Sequence, residues 1–139
     1  MKTTVEDIKI LNFFKNHDKR GNLVAIEPLK DIPINISRIF YVYESDGNRG
    51  NHAHFKTRQV LICLNGSIIV TCNDGNISRS FNLNSPDIGL YIPEMIWDSI
   101  SYIDTASILL ILADSHYDRS DYIEDFEKFK NIKKPISVV

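Results

Sequence analysis

The stretch Gln59-Val60-Leu61-Ile62-Cys63-Leu64-Asn65-Gly66-Ser67-Ile68-Ile69-Val70-Thr71-Cys72-Asn73-Asp74-Gly75 decides the fold class. Two apolar, β-branched runs end on Asn-Gly and on Asp-Gly. Those pairs accept the positive φ of a tight turn, so each predicts a hairpin. The same pattern continues outward in both directions. Candidate strands lie at Ile8–Phe14, Leu23–Glu27, Ile36–Tyr43, Asn51–His54, Val60–Leu64, Ile68–Cys72, Ile77–Asn82, Gly89–Ile92, Asp98–Tyr102 and Ser107–Ala113. Asp46-Gly47-Asn48 and Ser85-Pro86-Asp87 mark longer turns. Many short strands with closely spaced turns predict an all-β sandwich or barrel. One segment departs from this. In Asp121–Lys130 the positions of Tyr122, Ile123, Phe126 and Phe129 follow helical spacing, which predicts a short C-terminal helix on the outside of the barrel. Ser120 or Asp118 is placed to cap it.

The length of 139 residues fits one domain spanning 1–139. Hydrophobic residues make up 43% and charged residues 24%, which excludes a disordered chain. A net charge of −2 argues against a general nucleic-acid binder. No apolar run approaches a membrane span, and the charged segment from Met1 to Leu11 lacks the apolar core of a secretory signal. The expected location is the cytoplasm. Cys63 and Cys72 lie in apolar runs and read as reduced core thiols.

The chemistry concentrates in Arg49-Gly50-Asn51-His52-Ala53-His54. Residues two apart on a strand share a face, so His52 and His54 project together. Neutral imidazoles ligate metals, and an imidazole titrating near neutrality moves protons. Tyr41 and Tyr43 share a face of the preceding strand, either as wall packing or as hydroxyl donors. Arg20, before Gly21, is either a solvated turn charge or a planar fork for a diphosphate. Trp97 either plugs the barrel or stacks on a base or sugar.

The histidine pair, Gln59 and Gly66 resemble the first motif of the cupins, and Pro93, Met95 and Asp98 a degraded second one. Gln59 stands where those proteins have a glutamate ligand, and Asp98 where they have a third histidine. That set is poor for a metal, so none is expected. Several segments narrow the resemblance: Asp18 to Glu27, Arg49 to His54, Gln59 to Gly66, Gly89 to Pro93, and Leu112 to Ile123. They are similar to the dTDP-sugar 3,4-ketoisomerases, the WxcM-like cupins, over about residues 8 to 130.

The resemblance implies a cupin jelly roll and a homodimer that exchanges N-terminal strands. It implies conversion of dTDP-4-keto-6-deoxyglucose to a 3-keto-6-deoxyhexose without metal or cofactor, in bacterial surface-sugar synthesis. It also implies His54 as base with His52 as its partner, Tyr41 as a catalytic tyrosine, and Arg49 as the cation beside developing oxyanion charge. Arg20 would meet phosphate. Arg49, Gln59, Trp97, Asp98 and Tyr43 would line the substrate. The alternatives are a dTDP-sugar 3,5-epimerase, a non-catalytic nucleotide-sugar-binding cupin, and a metal-dependent dioxygenase-like cupin. Two histidines on one strand favour the ketoisomerase, and the incomplete ligand set disfavours the last.

Overall fold

A computed structural model describes residues 2–135. Twelve strands run β1 (Lys9–Asn12), β2 (Lys15–Asp18), β3 (Gly21–Val24), β4 (Arg38–Val42), β5 (Asn48–His54), β6 (Gln59–Asn65), β7 (Ile68–Asn73), β8 (Ser78–Leu83), β9 (Ile88–Ile92), β10 (Trp97–Tyr102), β11 (Ile108–Ala113) and β12 (Tyr122–Ile123), followed by α1 (Phe126–Lys133). One five-stranded sheet has the order β1-β9-β6-β11-β4 and a second β12-β5-β10-β7-β8. Every ladder is antiparallel. The sheets face each other as the expected cupin-like jelly roll with a short C-terminal helix.

Alternation along the strands builds two apolar layers. Leu61 and Cys63 of β6 meet Val70, Leu90, Ile100, Leu109 and Ile111 inside the barrel. Val60 and Ile62 face outward onto Phe13, Ile32 and Ile34, from the N-terminal segment that covers the first sheet. Both faces of β6 are therefore buried, which is why Val60–Cys63 reads as a continuous apolar run.

That burial corrects the Asn65-Gly66 hairpin. β6 pairs with β9 and β11, while β7 pairs with β10 and β8, so the turn carries the chain from one sheet to the other. Gly66 has a φ of +81°, as such a turn needs. A Cβ there would stand 2.8 Å from the Ser107 Cα. Turn chemistry fixed the backbone angles, and burial on both faces chose the partners. Asp74-Gly75 does join a hairpin, β7 to β8.

The helix also moves. It starts at Phe126, capped by the Asp125 carboxylate, which accepts from the Lys128 amide. Asp118 instead caps a single 3-10 turn at Arg119–Asp121, and Tyr122–Ile123 is strand. The aromatic spacing was helical only from Phe126 onward. β2 pairs with β3 as an outlying exposed hairpin, and its polar Lys-Asn-His-Asp run carried no strand signal.

Candidate active site

β5 carries the histidines, and its backbone is irregular where they begin. Asp98 pairs with His52, Ser99 with Gly50 and Ile100 with Arg49, so Asn51 is an extra residue in β5. Gly50 and Asn51 both take positive φ, at 84° and 62°, which glycine and asparagine tolerate best. A Cβ on Gly50 would lie 2.7 Å from the Asp98 carboxylate. The bulge lets Arg49 and His52 line one cavity although they are three residues apart.

His52 and His54 come together as the spacing predicts, edge to face with ring centroids 5.1 Å apart. His54 is buried, and its Nδ1 lies 3.1 Å from the Asp121 carboxylate. Asp121 also accepts from the Lys56 amide at 2.8 Å and from the Thr57 hydroxyl. A carboxylate at Nδ1 selects the tautomer with hydrogen on Nδ1, leaving the Nε2 lone pair free. The Gln59 amide lies 3.4 Å from that Nε2. Burial, reinforced by neighbouring His52, pushes the His54 imidazole down to about 4, with Asp121 acting in the opposite direction. Burial lowers His52 as well. Both rings are neutral at pH 7, the form in which an imidazole acts as a base.

Asp98 also faces the cavity, 3% exposed, with Oδ1 lacking any partner. Burial pushes its carboxyl up to about 7. Gln59, Tyr102, Phe40, Val42 and Leu61 complete the wall near it. Burial pushes Tyr102 up to about 12, and its hydroxyl is unpartnered. Among the described residues, no three His, Cys, Asp or Glu side chains converge as a metal site.

Four sequence candidates stand elsewhere in the chain. Phe40 and Val42 are the residues of β4 that face the cavity, so Tyr41 and Tyr43 point outward. They are 63% and 59% exposed and stack with centroids 6.2 Å apart. Trp97 is turned the opposite way from its neighbour Asp98. It packs under the helix against Phe126 and Phe129, with centroids 5.2 and 5.8 Å away. Arg20 sits in the β2–β3 turn, paired with Asp18 at 2.6 Å. The structure thus gathers His52, His54, Arg49, Gln59 and Asp98, and leaves Tyr41, Tyr43, Trp97 and Arg20 outside.

Asp121, Thr57, Tyr122 and Arg38 join the site without having been foreseen in it. Tyr122 packs on both histidines, its ring centroid 4.4 Å from His54 and 5.1 Å from His52. The signal for Asp121 was its place beside the chain's last aromatic run, but helical spacing masked it.

The family model described as FdtA: WxcM-like, C-terminal matches residues 6–134. A TDP-4-oxo-6-deoxy-α-D-glucose 3,4-oxoisomerase from Aneurinibacillus thermoaerophilus is 44% identical over 124 residues, 88% of this chain and 89% of the relative. A 3,4-ketoisomerase from Helicobacter canadensis superposes with a TM-score of 0.89 at 42% identity, covering 91% of this chain and 97% of the other. A variant 3,4-ketoisomerase from Thermoanaerobacterium thermosaccharolyticum, solved with TDP-4-keto-6-deoxyglucose, gives 0.90 at 34%, covering 93% and 95%. A dTDP-4-dehydrorhamnose 3,5-epimerase from Elizabethkingia anophelis, at 16% identity and a TM-score of 0.72, shares the fold alone. The chain belongs to the WxcM-like FdtA family, that of the sugar-nucleotide 3,4-ketoisomerases.

Proposed function

We propose that this chain is an isomerase converting dTDP-4-keto-6-deoxyglucose to a dTDP-3-keto-6-deoxyhexose through an enediol, with no metal or organic cofactor. The observation that carries the reading is the buried, neutral His54. Its Nδ1 is held by Asp121 and His52 stands 5.1 Å away. A proton next to a ketone is acidic enough for an imidazole base when the enolate oxygen is stabilised. His54 Nε2 takes the C3 proton, His52 relays protons between the two oxygens, and C4 is reprotonated. In this reading Arg49, Gln59 and Asp98 hold the sugar in the cavity that they line.

The assembly is a homodimer. The β2–β3 hairpin is exposed up to its half-buried end at Val24; Leu23 within it is 62% exposed and Phe14 just before it 84%. Ile39 and Tyr41 of edge strand β4, with Tyr43 just after it, present a second exposed apolar strip. Docking the hairpin on the other copy's strip buries both and takes Arg20 toward a diphosphate bound at the neighbouring site. Tyr41 and Tyr43 then serve the interface. Trp97 supports the wall behind Asp98. In this reading the enzyme works in the cytoplasm and supplies sugars for lipopolysaccharide O-antigen or S-layer glycans. No helix among the described residues is long and apolar enough to cross a membrane.

The test is a proton NMR time course with chelator-treated protein and dTDP-4-keto-6-deoxyglucose in deuterated buffer. A 3-keto product carrying deuterium at C4 supports the reading, and its couplings give the C4 configuration. Deuterium at C3 and C5 with the ketone still at C4 would mean an epimerase. Binding without exchange would mean a nucleotide-sugar-binding module.

A further inference from the structure

Asp98 is the only carboxyl among the described residues that line the cavity. It stands on the inward row of the second sheet, opposite His52 of β5 on one side and Cys72 of β7 on the other. Directly opposed residues of an antiparallel pair project to the same face, with Cβ atoms about 5 Å apart. The imidazole of His52 and the carboxyl of Asp98 therefore enter the cavity side by side. No hydrogen bond joins them, and Asp98 Oδ1 has no partner at all. Gly50 packs a bare Cα against that oxygen, so close that a Cβ would stand 2.7 Å away.

A carboxylate keeps its charge in a protein interior where donors or cations surround it. Asp121 has the Lys56 amide and the Thr57 hydroxyl. Asp98 has burial alone, which pushes its carboxyl up to about 7. Arg49 lines the same cavity, but its charge acts on Tyr102 and not on Asp98. The form these surroundings favour is the acid, which carries an O–H. A buried O–H without an acceptor loses free energy that a ligand oxygen would restore. An acid kept neutral in an apolar wall is also a strong donor to an oxyanion, and it brings no like charge.

We infer that Asp98, as an un-ionised acid, donates its O–H to the sugar oxygen that turns anionic when the proton on the adjacent carbon is removed. This rests on the ketoisomerase reading above and is the same for either ring of the β5 pair as base. The C3–H electron pair becomes the C3=C4 bond, and the carbonyl pair moves onto O4, where Asp98 meets it. The Asp98 proton stays on its carboxyl. The O3 hydrogen then passes to O4, C3=O forms, and C4 takes up a proton in place of the one lost from C3. No electron leaves the sugar. A carboxylate in the same place would repel the charge that the acid stabilises. A donor aimed at charge that develops only in the transition state acts on kcat more than on ground-state binding.

The pH dependence of turnover of dTDP-4-keto-6-deoxyglucose by the wild-type chain, Asp98→Asn and Asp98→Leu tests this. With the acid as the active form, wild-type kcat/KM should fall about tenfold per pH unit above 7. The charged or titratable groups around Asp98 are His52 and Arg49 on β5, Cys72 on β7 and Tyr102 on its own strand. Burial lowers His52 and raises Cys72 and Tyr102, so these three do not produce a limb between pH 7 and 8.5. Asp98→Asn keeps an N–H donor and cannot ionise. It should retain about a tenth or more of the wild-type kcat at pH 6 and show no fall up to pH 8.5. Asp98→Leu should lose about 10²-fold in kcat at pH 6, with KM within about threefold. Infrared spectra of the wild-type chain at pH 6 should carry the C=O band of an un-ionised carboxyl that Asp98→Asn lacks. A wild-type kcat/KM that is flat or rises through pH 7 overturns the assignment, the rise meaning a carboxylate that accepts from a sugar hydroxyl. So does a basic limb near 7 that survives in Asp98→Asn, or a wild-type kcat in Asp98→Leu. A wild-type chain that leaves the sugar unchanged at every pH overturns the ketoisomerase reading together with this one. If Asp98→Leu does not fold, the Asp98→Asn profile decides alone.

Discussion

Asp121 and Asp98 are both buried carboxylates beside a histidine of β5, and their surroundings are opposite. Asp121 is fully engaged, with the His54 imidazole, the Lys56 amide and the Thr57 hydroxyl. Asp98 keeps one oxygen unpartnered, and burial pushes its acid up to about 7. A saturated carboxylate is a fixture: it sets the tautomer and angle of the ring it holds. An unsaturated one in the cavity wall is free to gain or lose a proton or to meet a hydroxyl. The barrel divides orientation and adaptability between the same functional group in two settings.

The largest effect should come from the ring that the fixed carboxylate serves. His54→Asn should cost about 10³-fold or more in kcat, with nucleotide binding intact by calorimetry. Retention of turnover would remove the reason for Asp121's arrangement. Asp121→Asn should come next, at about 10²-fold or more, because an amide no longer fixes the tautomer. It should also lower stability, since the Lys56 amide and the Thr57 hydroxyl lose a charged acceptor. A kcat within about threefold of wild type would show that Asp121 only packs.

Asp98→Asn tests the other side of the comparison through stability. The folded pKa of Asp98 lies near 7 against 3.8 when free. Its contribution is therefore complete below pH 3.8 and is lost as pH rises through 7. His54 runs the other way, with a folded value near 4 against 6.5. Its contribution is present above pH 6.5 and is lost as pH falls through 4. Between these limits the two slopes oppose. Asp98→Asn should unmask the His54 slope, so that Tm rises from pH 4.5 to 6.5. At pH 8 the variant should exceed wild type by up to roughly 4 kcal/mol. Identical pH profiles for both proteins would mean that Asp98 is hydrated and ordinary. The smallest effect belongs to Trp97→Phe, the neighbour facing away from the cavity. It should lose about 1–2 kcal/mol of stability and leave kcat unchanged. A tenfold fall in kcat would place Trp97 functionally in the site.

The parts of this site legible in the sequence were those carried by contiguous residues. His-Ala-His states its own geometry through strand alternation. Tyr41 was different. Ile39, Tyr41 and Tyr43 are as apolar as Phe40 and Val42, so the pattern did not say which side faced in. The inward side was settled by pairing with β11, whose Leu109 and Ile111 line the barrel. Asp121 lies 67 residues beyond His54, a separation across which no local pattern speaks. It also sits where a strand, a 3-10 turn and a helix meet within a few residues. Asn65-Gly66 misled because turn-forming residues describe a bend and are silent about the sheet that follows it.

The extra residue in β5 bears on how relatives are compared. An unbroken strand would send Arg49 to the side opposite His52, because three is an odd number of steps. Gly50 and Asn51 absorb one step. A substitution at Asn51 that straightened this stretch would leave every letter of the cavity unchanged and still turn its arginine away from His52. Two chains identical at all their cavity positions can therefore differ by a full charge inside it.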